Sequence, residues 1–282
     1  MIGRILVGID GSKASKIAAE YGFYLSKALK RPVVGINIVD IRLLEGPFMA
    51  DIAGGLGFTT YADFTVKIRE VLEERSQAIL DEFTAECRQA QADCSIAQAY
   101  GIPEYEIVQM VDPEDLIIVG KKGEHSDIMK SLIGSTAEKI ARRATCPVMI
   151  TPIGEFKPIK NILVCFDGRE KSVHGLDFAK HLSEKLNADI KVISVFEDMV
   201  EDAEKVKEFK ERVKAIVEKD VEFIDKYGLA EEQIENFIKS NKDVLNLVVL
   251  GAYGDSYVKE IILGSTTSYI TAISPIPVIL VK

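Results

Sequence analysis

Short apolar runs alternate along this chain with longer stretches in which apolar residues return every three or four positions. The first run, Ile5-Leu-Val-Gly-Ile9, predicts a strand, and Asp10-Gly11-Ser12 predicts a turn after it. Ala14, Ala18, Tyr21, Leu25 and Ala28 then keep helical spacing until Pro32 ends the helix, and Val33 to Val39 reads as a second strand. Arg42 to Phe64 has no period; with Gly46-Pro47 and Gly54-Gly55-Leu56-Gly57 it predicts a loop insertion. From about Val66, residues Ile68, Leu72, Ile79, Phe83, Cys87 and Ala90 mark one stripe of a long helix. That stripe is too short for a coiled coil, so it predicts a core-facing surface. Ser95 to Ala99 is a short strand, Gly101-Ile-Pro103 turns into a helix reaching about Val111, and Leu116 to Val119 is the next strand. A glycine-containing loop follows, then a helix in which Ser135-Thr-Ala-Glu138 fits a capping box, and a last strand at Pro147 to Ile150.

After a linker at Ile153 to Pro158 the pattern restarts. Asn161-Ile-Leu-Val-Cys-Phe-Asp167 echoes Gly3 to Asp10, Asp167-Gly168 echoes Asp10-Gly11, and Ile276 to Val281 echoes Cys146 to Ile150. The organisation predicted is two homologous domains, 1–152 and 158–282. Strands separated by helices of this length imply right-handed βαβ crossovers. The fold class is α/β: two tandem, doubly wound, Rossmann-like domains, each a mostly parallel five-stranded sheet flanked by helices. The second copy lacks the Arg42–Phe64 insertion. It is also expected to have a reduced sheet, because Lys226 to Ile238 reads as mostly helical where a third strand belongs.

Composition narrows the function classes. The 282 residues are 47% hydrophobic and 28% charged with a net charge of −9, which fits a globular protein and argues against a nucleic-acid partner. No Lys/Arg run exceeds two residues. The first residues enter a strand directly, with no basic, apolar and cleavage-site sequence, and no apolar run matches a bilayer span; the expectation is a cytoplasmic protein without membrane contact. Cys87, Cys94, Cys146 and Cys165 lack CxxC spacing and read as free buried thiols. His125, His174 and His181 form no metal pattern, and the last two read as residues of a solvated helix surface.

The candidate chemistry lies where strands end. Leu245 to Leu250 reads as a buried parallel strand, and it leads into Gly251-Ala-Tyr-Gly254, with Gly264-Ser265-Thr266 opening a helix further on. Leu116 to Val119 leads in the same way into Gly120-Lys-Lys-Gly123 and later Gly134-Ser135-Thr136. Glycine lets a backbone approach a phosphate closely, and a helix N-terminus offers free N–H groups at the positive end of its dipole. Asp10 and Asp167 each follow a first strand, so each should reach the crevice beyond the carboxyl ends of the strands where the strand order reverses. One carboxylate facing one phosphate cradle suits a phosphate carrying ribose or adenine. Taken singly, the aspartates read equally as turn or N-cap residues and the glycine pairs as tight turns. Their joint occurrence, twice, favours binding. No Walker loop, no G-x-G-x-x-G after a first strand and no Ser/His/Asp or G-x-S-x-G pattern is present, so no catalytic residue is predicted.

With these residues in view the chain resembles the universal stress protein family in its tandem two-domain form. Nucleotide-binding members carry Gly-x2-Gly-x9-Gly-Ser/Thr, and the second copy matches it at Gly251, Gly254, Gly264 and Ser265. The resemblance implies a fold like that of the adenine nucleotide alpha hydrolases, with ATP or AMP as ligand and magnesium as the cation that accompanies it. It implies Asp167 on the ribose or adenine side, the backbone of Val195 against adenine, and Gly251, Gly254, Gly264, Ser265 and Thr266 around ribose and phosphates. The matching places in the first copy are Asp10, Ile38, Gly120, Gly123, Gly134, Ser135 and Thr136. Ten residues, Glu124 to Ile133, stand there instead of nine, so the second copy is the favoured site. The resemblance also implies pairing through the last strands, as an intrachain pseudo-dimer of the two domains, with a homodimer left open. Three readings follow. The first is a stress-response sensor or adaptor that binds an adenine nucleotide and hydrolyses it slowly at most. The second is an interaction or chaperone-like module that uses no nucleotide. The third, an enzyme on the same scaffold, is the least supported because no catalytic group is visible.

Overall fold

The computed structural model describes residues 2–44, 61–123, 133–199, 202–218, 221–252 and 263–282. The first half runs β1 (Ile5–Gly8), α1 (Lys13–Leu29), β2 (Val33–Asp40), α2 (Tyr61–Ala90), β3 (Cys94–Gly101), α3 (Pro103–Gln109), β4 (Leu116–Gly120), α4 (Ser135–Arg143) and β5 (Val148–Thr151), with a 3-10 turn at Ile41–Leu44. The second runs β6 (Asn161–Cys165), α5 (Glu170–Leu186), β7 (Asp189–Phe196), α6 (Ala203–Val217), β8 (Glu222–Tyr227), α7 (Ala230–Ser240), β9 (Leu247–Gly251), α8 (Ser265–Ile273) and β10 (Val278–Val281). The strands form one ten-stranded sheet in the order β3-β2-β1-β4-β5-β10-β9-β6-β7-β8. All pairs are parallel except β5 with β10, where Val148, Met149 and Ile150 face Leu280, Ile279 and Val278. The pairing of last strands within the chain is therefore present.

Helices cover both faces, which is why the inner strands read as unbroken apolar runs. Leu116, Ile117 and Ile118 are fully buried, as are Leu247, Val248 and Val249. One apolar layer joins Ile5, Val7, Leu116 and Ile118 to Ile162, Val164, Val249 and Ile279; the other joins Leu6, Ile117 and Val148 to Leu163, Val248 and Leu280. Each layer spans both halves. Side chains of the connecting segment add to this junction: Phe156 packs edge-on against Tyr21, and Tyr24 donates to the Ile159 carbonyl.

Two lysines cross between the halves. Buried Lys121, just past β4, donates to the Ser274 carbonyl at the end of α8 (3.2 Å), and Lys282, just past β10, donates to the Ala141 carbonyl in the last turns of α4. A cation at a helix C-terminus opposes the negative end of the dipole. Burial, followed by the nearby Lys122 charge, lowers the Lys121 ammonium to about 8.

Four expectations are corrected. The second half has its third strand: β8 pairs parallel with β7 along Glu222 to Tyr227, so both halves contribute five strands. It lacks an apolar run because it is a half-exposed edge strand with charged positions, held by the Lys191–Glu222 and Lys210–Asp225 ion pairs (the latter 3.2 Å). The helix expected over this region begins only at Ala230, after Gly228 turns the chain at φ +115°. The capping box at Ser135 does not form: Gly134 occupies the N-cap, and Glu138 binds Arg142 one turn on (2.8 Å). The helix predicted from about Val66 starts at Tyr61, while residues 45–60 of the expected loop lie outside the described residues. Finally, Cys87 at the end of α2 and Cys94 at the start of β3 form a disulfide, with Cα atoms 6.4 Å apart; Cys146 and Cys165 are free, as expected.

Two measurements check these features. Alkylation of denatured, unreduced protein should label two thiols, and four after reduction. Between pH 8 and 10.5 the unfolded chain keeps a proton on residue 121 that the folded chain has lost, so this lysine makes stability rise with pH in that window. Urea unfolding of the Lys121→Met variant should show this rise diminished, by up to about 3 kcal/mol between pH 7.5 and 10.5 relative to the parent protein.

Candidate functional site

The strand order reverses between β1 and β4, and there a crevice of about 460 Å³ opens beyond their carboxyl ends. This volume lies within the usual range of small-molecule sites. All seven residues proposed for the first copy line it: Asp10, Ile38, Gly120, Gly123, Gly134, Ser135 and Thr136. The Asp10 Oδ1 accepts the Ser12 N–H (2.9 Å), and the Ser12 hydroxyl caps the Ser15 N–H (3.1 Å). Turn residue and crevice carboxylate are thus one residue, with Gly11 at φ +82° allowing the chain to enter α1. Gly123 lies against this aspartate: a Cβ placed on it would be 2.9 Å from Asp10 Oδ2. Gly134 donates its N–H to the Lys121 carbonyl (2.7 Å), which brings the start of α4 beside the glycine turn. Gly120 has no room for a side chain, since its Cβ would meet the backbone of Ala14 and Ser15 at 2.8–3.0 Å.

The sequence pattern did not reveal the roof and side wall. Leu72, Arg75, Ser76 and Ile79 of α2 line the crevice. Ser76 donates to Asn37 Oδ1 (2.6 Å), Asn37 donates to the Ile9 carbonyl (2.7 Å), and Gln98 donates to Ser76 (2.6 Å). This chain of bonds ties α2 to β1, β2 and β3. The spacing of Ser76 from Leu72 and Ile79 on one helical face was the only available signal.

The second half repeats the arrangement between β6 and β9. Asp167, Val195, Gly251, Gly264, Ser265 and Thr266 line that crevice, and Gly254 lies outside the described residues. Asp167 Oδ1 accepts the Arg169 N–H (3.0 Å), and Gly168 has φ +78°. Ser194, the counterpart of Asn37, donates to the Phe166 carbonyl (2.7 Å) as Asn37 does to Ile9.

Among the described residues the two crevices differ in charge. Arg42, Arg75 and Lys122 oppose Asp10 and Asp40 around the first; Arg169 and Lys171 oppose Asp167, Glu170 and Glu197 around the second. In the second half, Glu231 also accepts from both hydroxyls at the start of α8, Ser265 (3.1 Å) and Thr266 (2.8 Å). The Thr266 bond is the main reason its carboxyl is held below the usual range. In the first half the corresponding Glu104 is buried and takes the Lys139 ammonium instead (2.6 Å), with Arg42 at 3.7 Å. Burial pushes the Glu104 carboxyl up, but the bond to Lys139 and the neighbouring charges outweigh it and leave it low. Among the described residues no group of three or more His, Cys, Asp or Glu side chains could hold a metal, and no helix is long and apolar enough to cross a membrane.

The model of the universal stress protein family matches residues 1–152 and again 158–282. Universal stress protein Slr1230 of Synechocystis is 25% identical over 98% of both chains. Universal stress protein MJ0531 of Methanocaldococcus jannaschii is 27% identical over 52% of this chain and 80% of its own. Among solved structures, a universal stress protein from Archaeoglobus fulgidus superposes with a TM-score of 0.75 at 22% identity, covering 99% of this chain and 98% of the other, a likeness of fold. The chain belongs to the universal stress protein family and carries the family's unit twice.

Proposed function

We infer that this protein binds an adenine nucleotide, ATP or AMP, in the cytoplasm and acts as a stress-response sensor or adaptor. The observation that carries this reading is the convergence in the first crevice: the Gly123 turn touches Asp10, and Gly134 brings the start of α4 alongside. The ribose or adenine would meet Asp10 and the β2 backbone at Ile38. The phosphates would meet Gly120, Gly123 and the N–H and hydroxyl groups of Ser135 and Thr136, where a helix dipole favours an anion. Arg42, Arg75 and Lys122 make this crevice the more favourable for phosphate. With no metal-holding cluster among the described residues, magnesium would be bound through the phosphates. The role read here is binding, with hydrolysis slow at most. A second reading, an interaction module that uses no nucleotide, is favoured by the carboxylate of Glu231 on the second cradle.

Three outcomes are expected. Denatured protein should release an adenine nucleotide, identified by chromatography. ATP or AMP at about a hundred times its Kd should stabilise the protein by about 2.7 kcal/mol, read as a rise in thermal midpoint. Gly120→Val should abolish that rise, because its side chain would force β4 off α1 where the crevice closes. Protein that carries no nucleotide and shows no shift with ATP, ADP or AMP would leave the interaction-module reading in its place.

A further inference from the structure

We propose that Glu231 disables the second cradle by engaging its two hydroxyls, so that the chain binds ATP in its first crevice alone. This rests on the nucleotide reading above and assigns it to one half. The carboxylate sits on the two hydroxyls, Ser265 and Thr266, that a phosphate would use, at the end of a helix whose dipole attracts negative charge. A bound phosphate would have to displace it or lie beside it, at the cost of like-charge repulsion.

The reason for the asymmetry is legible residue by residue. Gly228-Leu-Ala-Glu231 repeats Gly101-Ile-Pro-Glu104, so both halves place a glutamate in the first turn of the helix beside the cradle helix. In the first half two cations draw it away: Lys139 on α4 binds Glu104 at 2.6 Å, and Arg42, two residues past β2, stands at 3.7 Å. Among the described residues the Ser135 and Thr136 hydroxyls are then left without a protein partner, facing the crevice. In the second half both cations are missing. Tyr269 replaces Lys139 and donates to Glu235 (2.6 Å), and Met199 stands where Arg42 would be. Glu231, with no cation to hold it, turns to the hydroxyls. Among the described residues the lining charge points the same way, since the second crevice carries three acidic and two basic residues even without Glu231.

The nine-residue spacing of the second copy, which favours that site on sequence alone, is thus opposed by one side chain. Isothermal titration with ATP and magnesium decides between them. The parent protein should bind one ATP per chain, and Gly120→Val should bind none. Glu231→Ala should bind two. Tyr269→Lys, which leaves Glu231 in place but supplies the cation present in the first half, should also bind two; it keeps the test valid if removing the glutamate harms folding. Two ATP per parent chain would overturn the proposal and leave the nucleotide reading standing. So would a single ATP in both Glu231→Ala and Tyr269→Lys, or a single ATP that survives in Gly120→Val. No ATP binding by any of the four proteins would overturn the nucleotide reading and this proposal with it.

Discussion

Where Met149 lies opposite Ile279, the only antiparallel step in the sheet joins two parallel halves that would otherwise each end in an open apolar edge. Strands β5 and β10 are buried throughout. A strand of this kind cannot be left unpaired, because its backbone donors and acceptors and its apolar faces would both meet water. Pairing them within one chain closes both edges at once, and it lets the apolar layers on the two faces of the sheet run without interruption across the junction.

The direction of that pairing also places the crevices. Ligand sites in such sheets lie beyond the carboxyl ends of the strands. Since the strands of the second half run opposite to those of the first, the two crevices open at opposite ends of one sheet. They share an architecture but no residue. They differ in chemistry rather than topology: Lys139 and Arg42 stand beside Glu104, and Tyr269 and Met199 hold the matching sequence positions in the second half.

Most of the fold was legible because buried parallel strands are continuous apolar runs and the helices between them keep their period. The part that was not legible is instructive. Strand β8 carries Glu222, Asp225 and Lys226 at a sheet edge, where ion pairs stand in for burial, and a pattern of this kind resembles the start of a helix. The crevice residues followed from glycines and aspartates repeated at strand ends, since backbone approach and positive φ leave a mark in residue type. The α2 wall left almost none, because Arg75 and Ser76 are ordinary helix residues until the fold sets Arg75 at the crevice and buries Ser76. The Cys87–Cys94 bond was likewise hidden, as seven residues of separation match no familiar motif. The bond of Glu231 to α8 joins residues more than thirty positions apart, and it depends on which residue is missing at two other places.

The crossing lysines give the duplication a meaning beyond symmetry. The helix that opens the first cradle is held at its far end by Lys282 of the second half, and the helix that opens the second is held by Lys121 of the first. A gene split at the linker would produce two fragments, each with a cradle helix whose trailing carbonyls, at Ala141 and Ser274, had lost their bracing partner. The two units have become mutual scaffolding, and neither can be inherited, exchanged or lost without loosening the other.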